Sequence, residues 1–230
     1  MRTAIVLAAG ESRRMGTLKP LLPFGSGSVI GQVVRSLQAS PIDAVLVVVG
    51  HRGAEIAAHL AGGVRGQGSG VSNVNSAVPG TDPSPLTPDP SRLRIVENRD
   101  YARGMLSSVQ AGVAAADPAT SLFLIALADQ PSIPSELIGH LIEVFDEQRP
   151  GILIPTFEGR RGHPLLIDAR YRDEIAALDP EVGLRELLQR HPGDLLLQPV
   201  SFEAVIRDLD TREEYEAELE RWKREHGSSE

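Results

Sequence analysis

Apolar and polar positions along the chain form two kinds of run. Continuous apolar runs at residues 3–8, 44–49 and 121–128 predict strands that are buried on both faces. Between them, apolar residues spaced three and four apart predict helices at residues 28–38, 53–60, 104–116 and 134–148. This alternation predicts an α/β fold with a doubly wound, mostly parallel sheet between two helical layers.

Shorter elements are predicted in the second half of the chain. Residues 93–97, 151–155 and 164–167 favour strands, and residues 168–178 and 182–189 favour helices. Late edge strands are expected at 195–200 and 204–207, followed by a charged helix at 211–224 with few apolar contacts. Ser28 is placed to cap the first helix, and Pro134 suits a first helical turn.

Residues 65–92 are rich in Gly, Ser, Pro and Asn and have no apolar periodicity. We expect an irregular, mobile surface insertion there, either a lid or a loop without function. It interrupts a single domain over residues 1–226, and residues 227–230 are expected to be disordered.

Composition and charge argue against several classes of protein and of binding site. With 41% hydrophobic but only 4% aromatic residues, the core must be aliphatic. The net charge of −8 and the lack of a Lys/Arg run argue against binding to nucleic acid. Without cysteine, the chain can form no disulfide, zinc-thiolate or iron–sulfur site. No signal peptide and no apolar run of ~20 residues is present, so we expect a soluble, cytoplasmic protein without a membrane partner.

A glycine-bearing loop follows the first strand and carries positive charge. Gly10 and Gly16 let the backbone N–H groups approach anionic oxygens, and Arg14 and Lys19 add cations. The loop therefore predicts binding of nucleotide phosphates, although the chain lacks the G-x-x-x-x-G-K-[ST] motif. The alternative is a basic turn after a buried strand.

Two acidic segments are candidates for metal binding. Asp129 follows the strand at 121–128, at the edge where open α/β sheets bind ligands, and a carboxylate is a hard oxygen ligand suited to Mg²⁺. Its alternative role is to cap the helix near Pro134, for which Ser132 is the closer candidate. Asp210 and Thr211 also suit a helix N-cap, with acidic residues in the following turn.

Five segments resemble one known family. L-A-A-G-x-S-x-R-M-G-x-x-K at residues 7–19 is similar to the opening signature of the MobA-like NTP transferases, which attach a nucleotide to molybdopterin. L-A-D-Q-P at 127–131 resembles the magnesium-binding turn of that family. N-x-x-Y-x-x-G-M-L-S-S at 98–108, R-G-H-P at 161–164 and D-L-D-T at 208–211 also match family elements in order.

The resemblance implies a Rossmann-like, glycosyltransferase-A-like nucleotidyltransferase with Mg²⁺ or Mn²⁺ as cofactor. The implied partners are an NTP and a molybdopterin-like acceptor, with a client molybdoenzyme as a further partner. CTP is favoured over GTP, because guanylyl-transferring relatives more often have A-G-G where this chain has Ala8, Ala9 and Gly10.

The resemblance also assigns roles to residues. Lys19, Arg14 and Asp129 are the expected catalytic residues. The nucleotide is expected to contact Leu7, Ala8, Ala9, Gly10, Ser12, Arg14, Lys19, Asn98, Gly104, Ser107 and Ser108. The metal is expected on Asp129 and Asp210, with Asp208 less favoured, and the acceptor on Gln130, Arg161, Gly162 and His163.

The matches leave alternatives open. The family element D-I-D-T-P-E-D-Y has Pro and Asp where this chain has Arg212 and Glu214. Ser107 and Ser108 equally suit ordinary capping and packing at a helix start, and Gly-His-Pro is commonly a plain turn. Two other functions remain possible from the sequence: transfer to another phosphorylated acceptor such as a sugar phosphate, or a non-catalytic pterin-binding accessory protein for a molybdoenzyme.

Overall fold

One large β-sheet and a short hairpin organise the structure. The computed structural model describes residues 1–10, 17–62 and 88–226. Within these ranges the strands are β1 (Arg2–Ala8), β2 (Pro23–Phe24), β3 (Gly27–Ser28), β4 (Ala44–Val49), β5 (Leu93–Glu97), β6 (Leu122–Leu127), β7 (Ile152–Phe157), β8 (Arg160–Arg161), β9 (Leu165–Asp168) and β10 (Leu195–Pro199). The α-helices are α1 (Val29–Gln38), α2 (Gly53–Gly62), α3 (Met105–Ala115), α4 (Ser135–Gln148), α5 (Arg172–Ala177), α6 (Arg185–Arg190) and α7 (Arg212–His226).

The sheet has the strand order β10-β7-β9-β6-β1-β4-β5, and β8 pairs with β7. β1 is parallel to both neighbours, β4 and β6, and β5 and β10 are also parallel to the strands they pair with. Only β8 and β9 run antiparallel within this sheet as described, β9 against both β6 and β7. The predicted mostly parallel, doubly wound sheet is therefore confirmed.

Helices cover both faces of the sheet. Alternate residues of β1 face opposite layers: Ala4 and Val6 belong to the core cluster that includes residues of α1, α2 and α4, whereas Ile5 belongs to the cluster that includes residues of α3, α5 and α6. A side chain at Gly112 of α3 would overlap the side chain of Ile5, so α3 lies closer to β1 than a larger residue would allow.

The C-terminal helix α7 packs on the β2–β3 hairpin. The expectation of few apolar contacts is wrong, because Tyr215 and Trp222 join a buried cluster with Phe24. The rings of Phe24 and Trp222 meet edge to face at 5.7 Å, and the Tyr215 hydroxyl donates to the carbonyl of Pro23 at 2.6 Å. Spaced three or four residues apart, Tyr215, Leu219 and Trp222 form one narrow apolar stripe on a helix that is otherwise charged.

The edge strand expected at residues 204–207 is also wrong, because Glu203–Ile206 is a 3-10 helix. Val205 is fully buried, and its carbonyl accepts a hydrogen bond from the backbone N–H of His163 at 2.9 Å. A run this short has no periodicity of its own, so its tertiary contact decides its conformation.

Part of the predicted insertion is ordered. Residues 65–87 and the tail 227–230 lie outside the described residues, but Pro90–Arg92 is a 3-10 helix where no regular element was expected. The Asp89 carboxylate accepts from the N–H of Ser91 at 2.8 Å, and the Arg92 guanidinium donates to the carbonyl of Gln38 at 3.0 Å. The bond from Arg92 attaches the segment to the last residue of α1.

Among the helices of the described ranges, none combines the length and apolarity needed to span a bilayer.

Candidate active site

A cleft of about 710 Å³ opens at the carboxyl ends of β1 and β6. In the large sheet, β4 and β5 are added on one side of β1, and the chain then crosses through α3 to β6 on the other side of β1. Open α/β sheets bind ligands at such a reversal of strand order. The cleft is lined by Leu7, Ala8, Ala9, Gly10, Lys19, Pro20, Tyr101, Ala102, Gly104, Met105, Ser108, Leu127, Ala128, Asp129, Asp208 and Asp210.

Lys19 connects two carboxylates from distant parts of the chain. Its Nζ donates to Oδ1 of Asp210 at 2.7 Å and to Oδ2 of Asp129 at 3.3 Å. Only 11% of the lysine side chain is exposed, so these ion pairs are less screened by solvent than ordinary surface pairs. The three residues thus form one compact charged group in the cleft.

The charge of Lys19 is set by opposing effects. Burial acts to lower the pKa of its ammonium, but hydrogen bonds and charge attraction from Asp210 and Asp129 outweigh burial. The pKa of Lys19 is therefore raised above its ordinary value, and the side chain carries a positive charge at neutral pH.

Asp208 belongs to the same charged group. It is accessible from the cleft, and partial desolvation there, together with the charges of Asp129 and Asp210, raises the pKa of its carboxyl. A hydrogen bond from Gln130 and the charge of Lys19 act in the opposite direction. The sequence analysis favoured Asp210 over Asp208 as a metal ligand, but both line the cleft.

Thr211 and Glu214, and not the Asp210 side chain, cap the start of α7. The Thr211 hydroxyl accepts from the N–H of Glu214 at 3.2 Å, and the Glu214 carboxylate accepts from the N–H groups of Thr211 and Asp210, each at 2.8 Å. This reciprocal capping box starts α7 without using the Asp210 side chain.

Asp129 does not cap α4. The N-cap of that helix is Pro134, without a side-chain cap, and the helix begins at Ser135. Ser132 does not cap it either, because its buried hydroxyl has no hydrogen-bond partner among the described residues. The Asp129 carboxylate bonds to Lys19 instead.

The acidic residues can contribute to a divalent-metal site. In the described ranges, no group of three or more His, Cys, Asp and Glu side chains is arranged to hold a metal ion by itself. Asp129 and Asp210 nevertheless both lie within reach of one ammonium group. Mg²⁺ is usually held by one or two carboxylates together with substrate phosphates and water, so this donor set fits Mg²⁺ or Mn²⁺.

The predicted nucleotide-contacting residues between positions 98 and 108 fall into two groups. Gly104 and Ser108 line the cleft. Asn98 is buried and donates to the hydroxyls of Ser107 and Ser108 at 2.9 and 3.0 Å, and the Ser107 hydroxyl donates to the carbonyl of Gly104 at 2.8 Å. Asn98 and Ser107 therefore hold the start of α3 in place behind the cleft wall.

The predicted acceptor-binding residues do not line the cleft. Gln130 is 3% exposed, and its amide donates to Oδ1 of Asp208 at 2.9 Å and to the carbonyl of Val205 at 3.3 Å. Gly162 lies so close to Val205 that a side chain there would overlap its carbonyl. His163 is partly buried, which lowers its pKa to about 4, and Arg161 is exposed on β8.

The sequence analysis did not assign roles to several residues of the cleft wall. Tyr101, Ala102 and Met105 flank Gly104, and 61% of the Met105 surface is exposed although the residue is apolar. The sequence signal was their position within the N-x-x-Y-x-x-G-M motif. Together they form an apolar wall beside the charged group.

Two predicted phosphate-binding residues, Ser12 and Arg14, lie outside the described residues, as does the loop from residue 11 to residue 16.

Comparison with protein-family models gives one match over most of the chain. Residues 4–195 match the MobA-like NTP transferase domain. The match begins in β1 and ends at the first residue of β10, so it includes Lys19 and Asp129 but not Asp208 or Asp210.

Two curated relatives are similar over nearly their whole length. Nicotine blue oxidoreductase of Paenarthrobacter nicotinovorans is 28% identical, with 92% of this chain and 93% of the relative covered. Molybdenum cofactor cytidylyltransferase of Escherichia coli is 24% identical, with 95% of each covered. Among solved structures, the manganese complex of Rv0371c from Mycobacterium tuberculosis superposes with a TM-score of 0.66 at 20% identity, over 95% of this chain and 97% of that chain.

Proposed function

The chain belongs to the MobA-like NTP transferase domain family, and from this premise we propose that it is a metal-dependent molybdenum cofactor cytidylyltransferase. The reaction would move CMP from CTP to the phosphate of a molybdopterin-like acceptor and release pyrophosphate. The observation that carries the proposal is the meeting of Lys19, Asp129 and Asp210 at the carboxyl end of β1, in a cleft lined by residues of four of the five family motifs.

The loop after β1 is the proposed triphosphate site. Ala8, Ala9 and Gly10 line the cleft at the carboxyl end of β1, and backbone N–H groups of this loop would donate to anionic oxygens. Ser12 and Arg14, which follow in the same motif, remain proposed phosphate contacts. Asp129 and Asp210, together with Asp208 from the same cleft, would hold Mg²⁺ or Mn²⁺, which when bound offsets the negative charge of the phosphates.

Lys19 is the proposed electrostatic catalyst. Its ammonium has three donors, and in the described structure it already bonds to two carboxylates. On NTP binding, we expect Lys19 to donate to phosphate oxygens and to stabilise the charge that develops on departing pyrophosphate. An acceptor phosphate oxygen attacks the α-phosphorus as the bond to the β-phosphate oxygen breaks. Because phosphate is already ionised near neutral pH, no general base is required.

The proposed acceptor is a molybdopterin. Molybdopterin is supported by similarity to the Escherichia coli cytidylyltransferase and by the apolar wall of Tyr101, Ala102 and Met105, against which a flat ring system can pack. A sugar phosphate, or a non-catalytic role in pterin binding, are the alternatives.

A redox function is a second candidate, because the relative with 28% identity is named nicotine blue oxidoreductase. The charged group of Lys19, Asp129 and Asp210 favours phosphate and metal chemistry over electron transfer. The two functions differ in cosubstrate, since a redox enzyme consumes a reductant and releases no pyrophosphate.

Pyrophosphate release is the decisive measurement. The purified protein is incubated with each of CTP, GTP, ATP and UTP, with Mg²⁺ or Mn²⁺, and with or without molybdopterin. We expect release that depends on molybdopterin and is fastest with CTP. Release only with a sugar phosphate would support the first alternative, and molybdopterin binding without release would support the accessory role.

Asp129→Asn is the matched inactive variant. It keeps the size of the side chain but removes its charge, so we expect metal-dependent pyrophosphate release to fall to background while the thermal unfolding curve stays close to wild type. An active Asp129→Asn enzyme would remove Asp129 from the mechanism.

A further inference from the structure

Gln130 links the acidic residues of the cleft to the protein interior. The residue directly follows Asp129, yet only 3% of it is exposed and it does not line the cleft. Its Nε2 donates to Oδ1 of Asp208 at 2.9 Å and to the carbonyl of Val205 at 3.3 Å. We propose that Gln130 is a positioning residue for nucleotidyl transfer, which holds the Asp208 carboxylate beside Asp129 so that the cleft can receive a divalent cation.

A carboxylate in the position of Asp208 needs a donor to hold it. Asp208 shares the cleft with Asp129 and Asp210, and carboxylates placed close together repel one another. Lys19 donates to Asp129 and Asp210, whereas the hydrogen bond to Asp208 comes from Gln130. A hydrogen bond from a neutral amide orients the carboxylate without neutralising it, which leaves its charge available for a metal ion.

The donor itself is held by the fold. The carbonyl of Val205 accepts from Gln130 and also from the backbone N–H of His163 at 2.9 Å. Gly162 packs directly against the same carbonyl, where no side chain fits. Three chain segments therefore meet at Val205, and the position of Asp208 depends on all of them.

This geometry also accounts for the glutamine at this position. A methionine would fill a similar volume but could not donate to Asp208, and a glutamate would add another carboxylate to the cluster. The side-chain amide is thus the group that supplies a donor without a charge.

The proposal rests on the proposed function, and a double-mutant cycle on Mn²⁺ binding tests it. The affinity for Mn²⁺ alone is measured from the electron paramagnetic resonance signal of the free ion for wild type, Gln130→Met, Asp208→Ala and the double variant. We expect Gln130→Met to weaken Mn²⁺ binding about 10- to 100-fold, the usual effect of removing a partner that orients a ligand. In the Asp208→Ala background, Gln130→Met should cause no further loss.

Gln110→Met is the matched control. The Gln110 amide donates to the carbonyls of Ile175 and Leu178 at 3.0 and 2.9 Å, away from the charged group, so its loss should leave Mn²⁺ affinity unchanged. Gln130→Leu also removes the amide donor without adding a charge, and it is used with the same expected loss if Gln130→Met does not fold, as judged by circular dichroism.

Each outcome has a separate meaning. Wild-type affinity in Gln130→Met, or an equal loss in the presence and absence of Asp208, overturns the positioning role. Wild-type protein that binds no Mn²⁺ and releases no pyrophosphate overturns the proposed function as well. Wild-type protein that does both, together with the expected cycle, supports both proposals.

Discussion

Lys19 is the residue on which the charge balance of the cleft depends. It lies 110 positions from Asp129 and 191 from Asp210 in sequence, yet it donates to both. An ammonium is a compact charge with three donors, so it can hold two carboxylates and still turn towards a phosphate. The planar guanidinium of an arginine could not serve these partners in the same way.

Replacement of Lys19 by alanine should therefore slow the reaction. We expect Lys19→Ala to lower kcat/KM by the equivalent of ~2–4 kcal/mol of transition-state stabilisation, the scale for losing one preorganised electrostatic contact. Steady-state pyrophosphate release measures this loss. Lys223→Ala, at an exposed position of α7 whose ammonium lies 3.7 Å from Glu220, is the control and should behave as wild type. Equal rates for the two variants would rule out a catalytic role for Lys19.

At the scale of elements, the placement of α3 decides one wall of the cleft. Its first residues contribute Met105 and Ser108 to the cleft, and Gly104 precedes them. One helical turn further on, Gly112 allows α3 to lie directly on Ile5 of β1. The wall is thus positioned by close helix–strand packing.

Gly112 and Gly139 make a matched pair for testing this packing. Both are helical glycines, but a side chain at Gly112 overlaps Ile5, whereas one at Gly139 of α4 meets only Pro41 at 3.8 Å. We expect Gly112→Ala to lower the free energy of unfolding by about 1–3 kcal/mol through overpacking. Gly139→Ala should raise it by roughly 0.5–1 kcal/mol through helix propensity. Urea denaturation measures both, and a stabilised Gly112→Ala would contradict the close approach of α3 and β1.

At the scale of the whole molecule, the free energy of unfolding should depend on pH through His163. Burial disfavours the charged form of His163 and lowers its pKa to about 4, whereas an unfolded chain has the ordinary histidine pKa of about 6.5. Between these values the unfolded state binds more protons than the folded state. Stability contributed by neutral His163 is therefore complete above pH ~6.5 and is lost as pH falls towards 4.

His163→Gln tests this dependence. Thermal unfolding of wild type and variant is followed from pH 7 to pH 4. Over this range the free energy of unfolding of the wild type should fall by on the order of 2–3 kcal/mol more than that of the variant. Parallel pH curves for the two proteins would contradict the burial of His163.

Hydrophobic periodicity was a sufficient guide to most elements, because it reports which face of a segment is buried. The strand at 44–49 and the helix at 28–38, with Ser28 as its N-cap, were predicted within a residue of where they lie. Prediction was wrong at 204–207 and at 90–92, where short segments take their conformation from contacts with distant residues. The stripe on α7 was missed because charged residues surround it.

The motifs identified the residues that meet in the cleft, because the functional groups of glycine, aspartate and lysine are known from the sequence alone. Sequence alone could not separate capping from metal binding at Asp210, and it assigned the acceptor to Gln130, which the fold buries against Asp208 and Val205.

The sequence by itself determined the alternation of strands and helices, the aliphatic core and the residue types available for phosphate and metal chemistry, because these depend on local pattern and composition. The tertiary structure alone decided the antiparallel direction of β9, the meeting of Lys19 with Asp129 and Asp210, and the burial of Gln130. These features arise from contacts between residues that lie tens to almost two hundred positions apart in the sequence. A local sequence pattern does not determine which of these distant residues a side chain will contact.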